Sequence, residues 1–410
     1  MFKKNISPIP FTLGLFGLSL LFYPYFSVQA ASIWQATGSG KGYVSSGAGY
    51  ETDITVSDAG TVYAAFEDKK NGKKARVRQL AGSSWIDLAD SQNLSGLISA
   101  SWGHKPVVVA KGDEVYTAFS DKANNDRARV KKWDGSSWSD LADATYSFGL
   151  ISSRKGNEPE LSFNKTRDVL YVAYQDEASG NRVKVMRWES GSWSEAADEN
   201  NPSGLVSSGA GAEVALALSN IDDSIYVVYE DVSVGLRLRV KKWDGSRWSD
   251  VTDSAHPDGL ITNTPGYSPA LALDSQDRIY LVYTYKKEGS TYVMRWDGSV
   301  WSNLGSGIGA KGKTIESTVI LDDNDNPIIA MSQYKKVGKR KKSWGVRVRK
   351  WNGQAWQDVS DSSHRQGFLS KKGKGDPALA AGNGQIYIAF TDYGSRRRAR
   401  VLNFNSDDIQ

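Results

Sequence analysis

An all-β fold built from one repeated four-strand unit is what this sequence predicts, on three observations. First, a phrase recurs: "WDGSSWSDL" at 133–141, "WDGSRWSDV" at 243–251 and "WDGSVWSNL" at 296–304. Second, the tryptophan closing each phrase marks a period. It stands at Trp34, Trp85, Trp138, Trp193, Trp248, Trp301 and Trp356, at spacings of 51, 53, 55, 55, 53 and 55 residues. Third, no stretch keeps a helical period, whereas short runs rich in β-branched and aromatic residues lie between Gly, Asp, Asn and Ser. A sheet of about fifty residues cannot bury both faces alone, but repeats packed face to face in a ring can. The expectation is a seven-bladed β-propeller of four-stranded antiparallel blades over 31–405, with repeats starting near 34, 85, 138, 193, 248, 301 and 356, and a short tail at 406–410.

Each element follows from the repeat. After the Trp strand comes a loop of the type "GLIS". A short apolar strand follows, such as "PALALD" (269–274), then a tight turn and "IYLVY" (279–283). A polar tip leads to a strand alternating basic and apolar residues, such as "RLRVKKW" (237–243). Asp-Gly turns the chain into the next Trp strand. "SIWQATG" (32–38) is a fourth strand without a first three, and the last repeat ends with three strands at "RARVLNF" (398–404). Trp34 is therefore expected to complete the last blade, which also removes open sheet edges. The paired tryptophans read as core between blades. Trp102 and Trp344 fall outside both columns and are the candidates for exposed aromatics.

Residues 1–30 differ from the rest. "MFKK" is basic, 11–22 is apolar but short for a membrane span, and "SVQA" offers a small-residue exit after Ala30. The expectation is a signal peptide, and a secreted, periplasmic or cell-surface protein with no transmembrane segment after cleavage. Cysteine is absent, so neither disulfides nor Cys-based metal sites enter the argument. The formal charge is +5, unevenly spread: residues 301–410 hold 19 Lys/Arg against 10 Asp/Glu.

Comparing the repeats separates scaffold from site. The second strand ends in Asp68, Asp121, Asp176, Asp231 and Asp392, and the third carries Arg76, Arg129, Lys184, Arg239, Arg347 and Arg400. The pairing predicts a recurrent ion pair across the hairpin, with Tyr285 and Gln333 replacing the acid in repeats five and six and Tyr292 the base in repeat five. The long inter-blade loops and the strand two–three tips are expected to share one face, the functional one. There a rim position holds Glu51, Lys105, Glu158, Glu213, Ser268, Glu316 and Asp376, and Tyr50, His104, Asn157 and Tyr267 come one residue earlier. Such a carboxylate ring could hold a cation or a basic group, and no other cofactor or metal is expected. Lys339, Lys341, Lys342, Lys371, Lys372, Arg396 and Arg397 form a basic flank suited to a polyanion. The ligand residues expected are Tyr50, Glu51, His104, Lys105, Asn157, Glu158, Tyr267 and Asp376, with that flank. "LDDNDNP" (321–327) lacks the glycine and distal Glu of a calcium loop and reads as a turn. Of three histidines, His104 stands at the mouth, and His256 and His364 occupy equivalent loop positions. His104 with Tyr50 or Tyr267 would supply a base and an acid for eliminating across a uronate glycosidic bond; paired rim carboxylates would instead suit a glycosidase.

The repeat text at 170–193 and 225–248, "LYVAYQD" leading to "VKVMRWESGSWS" and "IYVVYED" leading to "RVKKWDGSRW", resembles secreted bacterial seven-bladed propellers, loosely sialidase-like and lectin-like. The resemblance spans the chain after residue 30. Sialidase Asp boxes are not cleanly present, so that activity is not implied. Lectin-like propellers imply sugar sites between blades or at the mouth, and polysaccharide-lyase propellers imply the enzymatic alternative. The expected function is binding of an acidic or neutral glycan. A polysaccharide lyase or glycosidase, and a platform for a surface protein, stand as alternatives, and nucleic acid is disfavoured.

Overall fold

The computed structural model describes residues 32–408, apart from 286–287, 306–307, 309–313, 338–340, 362 and 371–374. Every strand pairing among these residues is antiparallel. The repeats, counted from their inner strands, begin at Gly49 (one), Leu97 (two), Gly156 (three), Gly211 (four), Gly266 (five), Thr314 (six) and Ala378 (seven). Repeats three to six each form a separate four-stranded sheet, and a fifth such sheet joins the three strands of repeat seven to Gln35–Ala36. Gln35 pairs with Asn403 and Ala36 with Leu402, so the strand after Trp34 lies on the outer edge of the last sheet.

The expected seven separate sheets need one correction. Among the described residues there are five four-stranded sheets and one eight-stranded sheet, which unites repeats one and two. The cause is local. At five other interfaces among the described residues the inter-repeat loop touches the preceding third strand through one isolated bridge, as in Arg129 with Leu150 and Arg239 with Leu260. In repeat two the inner strand starts early, at Leu97. Leu97 then pairs with Arg76, and Trp102 with Lys74, so the bridge becomes part of a continuous ladder.

Burial follows position. Second strands such as Val62–Asp68 and Ile225–Asp231 are buried along their whole length, because both of their faces meet neighbouring sheets. Each inner strand contacts the next around the ring, and that of repeat seven contacts that of repeat one. The approach is close where inner strands begin with glycine: a Cβ on Gly211 would stand 2.7 Å from the Val183 side chain, and one on Gly156 2.5 Å from Ala128 Cβ.

The second tryptophan of each phrase joins repeats. Trp34, Trp85, Trp138, Trp193, Trp248, Trp301 and Trp356 are buried. Each indole N–H donates to a backbone carbonyl of the preceding repeat's outer strand or the turn after it, at 2.7–3.3 Å. Burial of one such ring contributes at most about 4–6 kcal/mol. A second latch comes from the aspartate five residues beyond the tryptophan. Asp90, Asp143, Asp198, Asp253 and Asp361 accept the backbone N–H of the next Trp, at 2.6–3.2 Å.

The hairpin ion pairs form between Asp68 and Arg76 (2.6 Å), Asp121 and Arg129 (2.9 Å), Asp231 and Arg239 (3.2 Å), and Asp392 and Arg400 (3.4 Å). Repeat three departs: Lys184 turns to Glu195 at 2.8 Å, because the single ammonium of lysine engages one carboxylate where the guanidinium fork of arginine reaches two. These aspartates also cap the following turn through backbone N–H groups, which places them in the scaffold. In "LDDNDNP", Asp322 accepts from Asn324 N and Asn326 N and pairs with Lys350 at 3.0 Å, which makes it a turn residue.

Candidate functional site at the mouth of the channel

A shared backbone device aims side chains into the channel. At the start of the inner strand the register slips by one residue, between Tyr50 and Asp53, His104 and Val107, Asn157 and Glu160, Ala212 and Ala215, and Tyr267 and Ala270. The bulged residue takes a positive φ: Glu51 46°, Lys105 47°, Glu158 51°, Glu213 45° and Ser268 47°. Non-glycine residues pay roughly 1–3 kcal/mol for such conformations. Proline follows the rim residue at Pro106, Pro159, Pro269 and Pro377.

Glu51, Lys105, Glu213, Ser268, Glu316 and Asp376 line a cavity of about 340 Å³, with Asp53 and Glu160 also in its wall. Glu158 engages Lys105 at 2.8 Å. The rim read from the sequence is thus brought together, and it is the inner wall of the mouth rather than a loop above it. Burial works against the charge on Lys105, but Glu213, Glu158 and Glu51 outweigh it and hold the ammonium well above its usual range. Burial and then Asp376 push Glu51 up to about 7. Burial and then Asp53 push Glu160 up to about 8. Burial and then Asp376, by charge and hydrogen bond, push Glu316 up to about 9. Burial raises Asp53 to about 6 against hydrogen bonds from Val108 N and Ile54 N. Near neutral pH the wall is therefore a mixture of carboxylates and carboxylic acids around one lysine.

A different chemistry stands at the rim where repeats seven, one and two meet. Lys73 Nζ lies 4.0 Å from the Trp102 ring and 5.9 Å from the Tyr50 ring, and Lys69 Nζ lies 5.6 Å from Tyr50. Arg397 donates to the Tyr50 hydroxyl at 3.4 Å and lies 5.6 Å from the Tyr393 ring. His104 packs edge-on against Trp102, with centroids 5.1 Å apart. Its Nδ1 meets Glu67 Oε1 at 2.7 Å, and Lys73 stands 3.7 Å from the same carboxylate. Burial opposes ionisation of Glu67, but the hydrogen bond and charge of His104 hold its carboxyl below the ordinary range. Among the described residues, His104 Nε2 has no hydrogen-bond partner.

The other sequence candidates divide. Tyr50 and His104 come together. Tyr267 does not join them: it sits on repeat five, with two repeats between it and the pair on either side. The Asn157 amide donates to Gln175 Oε1 at 3.1 Å. Arg396 and Arg397 are exposed at the tip of repeat seven. Lys339, Lys371 and Lys372 lie outside the described residues. Lys341 and Lys342 pair through their backbones with Val337 and Lys336, and their side chains lie outside the described set. Trp102 and Trp344 are half-buried rather than fully exposed, Trp102 beneath Lys73 and Trp344 against Tyr334 at 5.2 Å. His256 and His364 meet Asp253 and Asp361 at 2.8 and 3.0 Å and belong to the loop scaffold.

Sequence reasoning missed Lys69, Lys73 and Glu67. A signal existed for Glu67. The column Glu67, Ser120, Gln175, Glu230, Thr284, Ser332 and Thr391 is polar in every repeat although its strand is buried. Several of these side chains hold the next repeat's inner strand: Ser120 donates to Gly156 O, Gln175 to Gly211 O, Ser332 to Gly375 O and Thr391 to Gly49 O, at 2.7–3.0 Å. Glu67 reaches the next inner strand as an acceptor instead, taking the Lys105 N–H at 3.4 Å, and is left with acceptor capacity for His104.

No protein-family model matches the chain, and no curated protein matches it. Solved structures do. An ulvan lyase, described as a new family of polysaccharide lyase, aligns with a TM-score of 0.54 at 11% identity, covering 91% of this chain and 95% of its own. The same lyase bound to -[GlcA(1-4)Rha3S]- gives 0.51 at 12% identity with the same coverage. The Aleuria aurantia lectin in complex with Fucα1-6GlcNAc gives 0.48 at 16% identity, covering 76% and 95%. At these identities the likeness to the lyase shows the fold. It is a β-propeller of four-stranded antiparallel blades.

Proposed function

We propose that this chain is an exported, seven-bladed propeller that binds an acidic carbohydrate across the rim formed by repeats seven, one and two. The eight-stranded sheet counts as two blades in this reading, because each half carries its own inner strand in the ring. The observation carrying the function is the convergence of Tyr50 and Trp102 with Lys69, Lys73 and Arg397. Aromatic rings offer apolar faces to sugar C–H groups, and cations beside them suit carboxylate or sulfate. The acidic wall below disfavours entry of an anion, so the polymer would lie over the rim. The basic start, apolar run and exit after Ala30 support export. Among the described residues no helix is long and apolar enough to cross a membrane.

One observation favours a second reading. Glu67 holds His104 through Nδ1, which leaves Nε2 for proton transfer beside Tyr50 in the same contact chain. In that reading the rim is the active site of a uronate lyase. Titration of a uronate polymer and a neutral one at two salt concentrations tests both. Binding should favour the uronate, weaken with salt, and fall about tenfold in Trp102→Ala and in Lys73→Ala. Unchanged affinity in both variants refutes the rim as the site. Formation of an unsaturated uronate, lost in His104→Ala, selects the lyase; its absence with bound polymer leaves a binding protein.

A further inference from the structure

A second cavity, of about 530 Å³, lies between repeats three and four and shares no lining residue with the channel. Arg182 and Asn201 face it from repeat three and its following loop, and Tyr229, Arg239, Lys241 and Arg247 from repeat four. Trp248 gives it an apolar wall.

Three features set this interface apart from its neighbour. Tyr229 is wholly buried, yet its hydroxyl has no hydrogen-bond partner among the described residues. Its counterpart Tyr174 donates to Ile151 O at 2.9 Å. A buried hydroxyl without a partner has lost its water and gained nothing in exchange, so it favours any acceptor that can reach it. The space comes from the loop. Where the previous interface packs Tyr146 into its core, this one has Asn201, whose amide turns away to Asp198 at 2.8 Å. Arg247 is the third feature: Ser137, Ser192, Val300 and Ala355 hold its place in other repeats.

The charge is not cancelled. Asp250, the one carboxylate in the pocket wall, is shared by Arg239 at 3.4 Å and Lys241 at 3.7 Å, and Arg239 also meets Asp231 at 3.2 Å. Arg182 spends its Nε on Ser207 O at 2.6 Å. Neither Arg182 nor Arg247 has a carboxylate within ion-pair distance among the described residues. Two guanidinium groups and a phenol are therefore available as donors, with no acceptor charge of the protein's own to satisfy them.

We infer that this pocket binds a single oxyanion group, the sulfate or carboxylate of an acidic sugar or the free ion, with the Tyr229 hydroxyl and the Arg182 and Arg247 guanidiniums as donors. The cavity exceeds what one oxyanion fills and leaves room for the sugar bearing it, with Trp248 as its apolar wall. The site stands on residues other than those of the rim and goes beyond the function proposed above.

The test is calorimetric titration of the full chain with sodium sulfate, a sulfated monosaccharide and the unsulfated parent sugar. One site per chain is expected, with the unsulfated sugar at least about tenfold weaker. Tyr229→Phe removes only the hydroxyl, and Phe66, Phe119 and Phe390 fill its place in other repeats. Arg247→Ser restores the residue of repeats two and three at an exposed position. Both variants should fold, and each should weaken the anion about tenfold, the loss of one hydrogen bond to a charged group. Equal affinity for sulfate alone assigns the site to the free ion; tighter binding of the sulfated sugar assigns it to the carbohydrate. No binding of any anion, unchanged affinity in both variants, or a stoichiometry of several equivalent sites overturns the proposal. The rim fails separately, through its own variants and a polymer.

Discussion

Glu316 and Glu160 show how much one side chain in the channel wall can govern. Both keep their protons in the folded chain to a higher pH than in the unfolded one, because burial and neighbouring carboxylates penalise the charged form. The sign follows from proton counts. Between the ordinary glutamate value of 4.5 and about 9, the folded state holds more protons than the unfolded state. Stability must then fall as pH rises through that window. The melting temperature should decline from mildly acidic to mildly alkaline pH. Glu316→Gln keeps the shape but has no proton to lose. It should flatten the decline and exceed the parent by about 1–3 kcal/mol at the alkaline end. A variant that melts in parallel with the parent at every pH would dismiss the idea. The acidic column itself was legible from the sequence. The protonation states were not, since they depend on how closely Asp376 approaches Glu316 and Asp53 approaches Glu160 across repeats.

A strand and the turn that follows it form the unit of the ring, and its fasteners are few. Asp198 accepts Trp248 N at 2.6 Å and also gathers Asn200 N and Asn201 N. Asp198→Ala should cost about 1–3 kcal/mol in urea unfolding, because it strands a part-buried donor and loosens the loop. The fold should survive, since Ser39 and Ser306 stand at the same place in other repeats. A loss below about 0.5 kcal/mol would show that the tryptophan ring alone holds the interface. The element boundaries read from the sequence held where Gly and Asp mark turns, as at Gly135, with φ 99°. They missed the long inner strand of repeat two. Extending a strand from Leu97 depends on partners at Lys74 and Arg76, which lie in another repeat.

For the whole molecule, the ring depends on a few residues joining distant parts of the chain. Trp34 donates to Val359 O and takes Asp361 as an acceptor, while Gln35 and Ala36 extend the last sheet. A chain beginning after residue 38 should lose those bonds together with one buried indole. Its melting temperature should drop by about 5 °C or more, and repeat seven should exchange amide hydrogen fastest. Unchanged melting would mean that this strand is dispensable to the ring. This closure was readable in advance, because a lone fourth strand at one end and a missing one at the other are both visible in the repeat.

The amino-acid order was enough to establish a repeated four-strand unit, its period, the tryptophan core and the need for the two ends to meet. Those properties rest on local patterning copied seven times, and repetition makes a local signal plain. Only the tertiary structure decided which side chains converge. Tyr50, Trp102, His104 and Arg397 come from three repeats, and Lys73 joins them from a tip whose charge pattern looks ordinary. It also decided that Tyr174 is satisfied and Tyr229 is not, although both stand in one column. The reason is geometric. Hydrogen bonding along a strand depends on its own residues, whereas a site depends on bulges and loop packing between neighbours. Those set distances to within a fraction of an ångström and leave no trace in spacing.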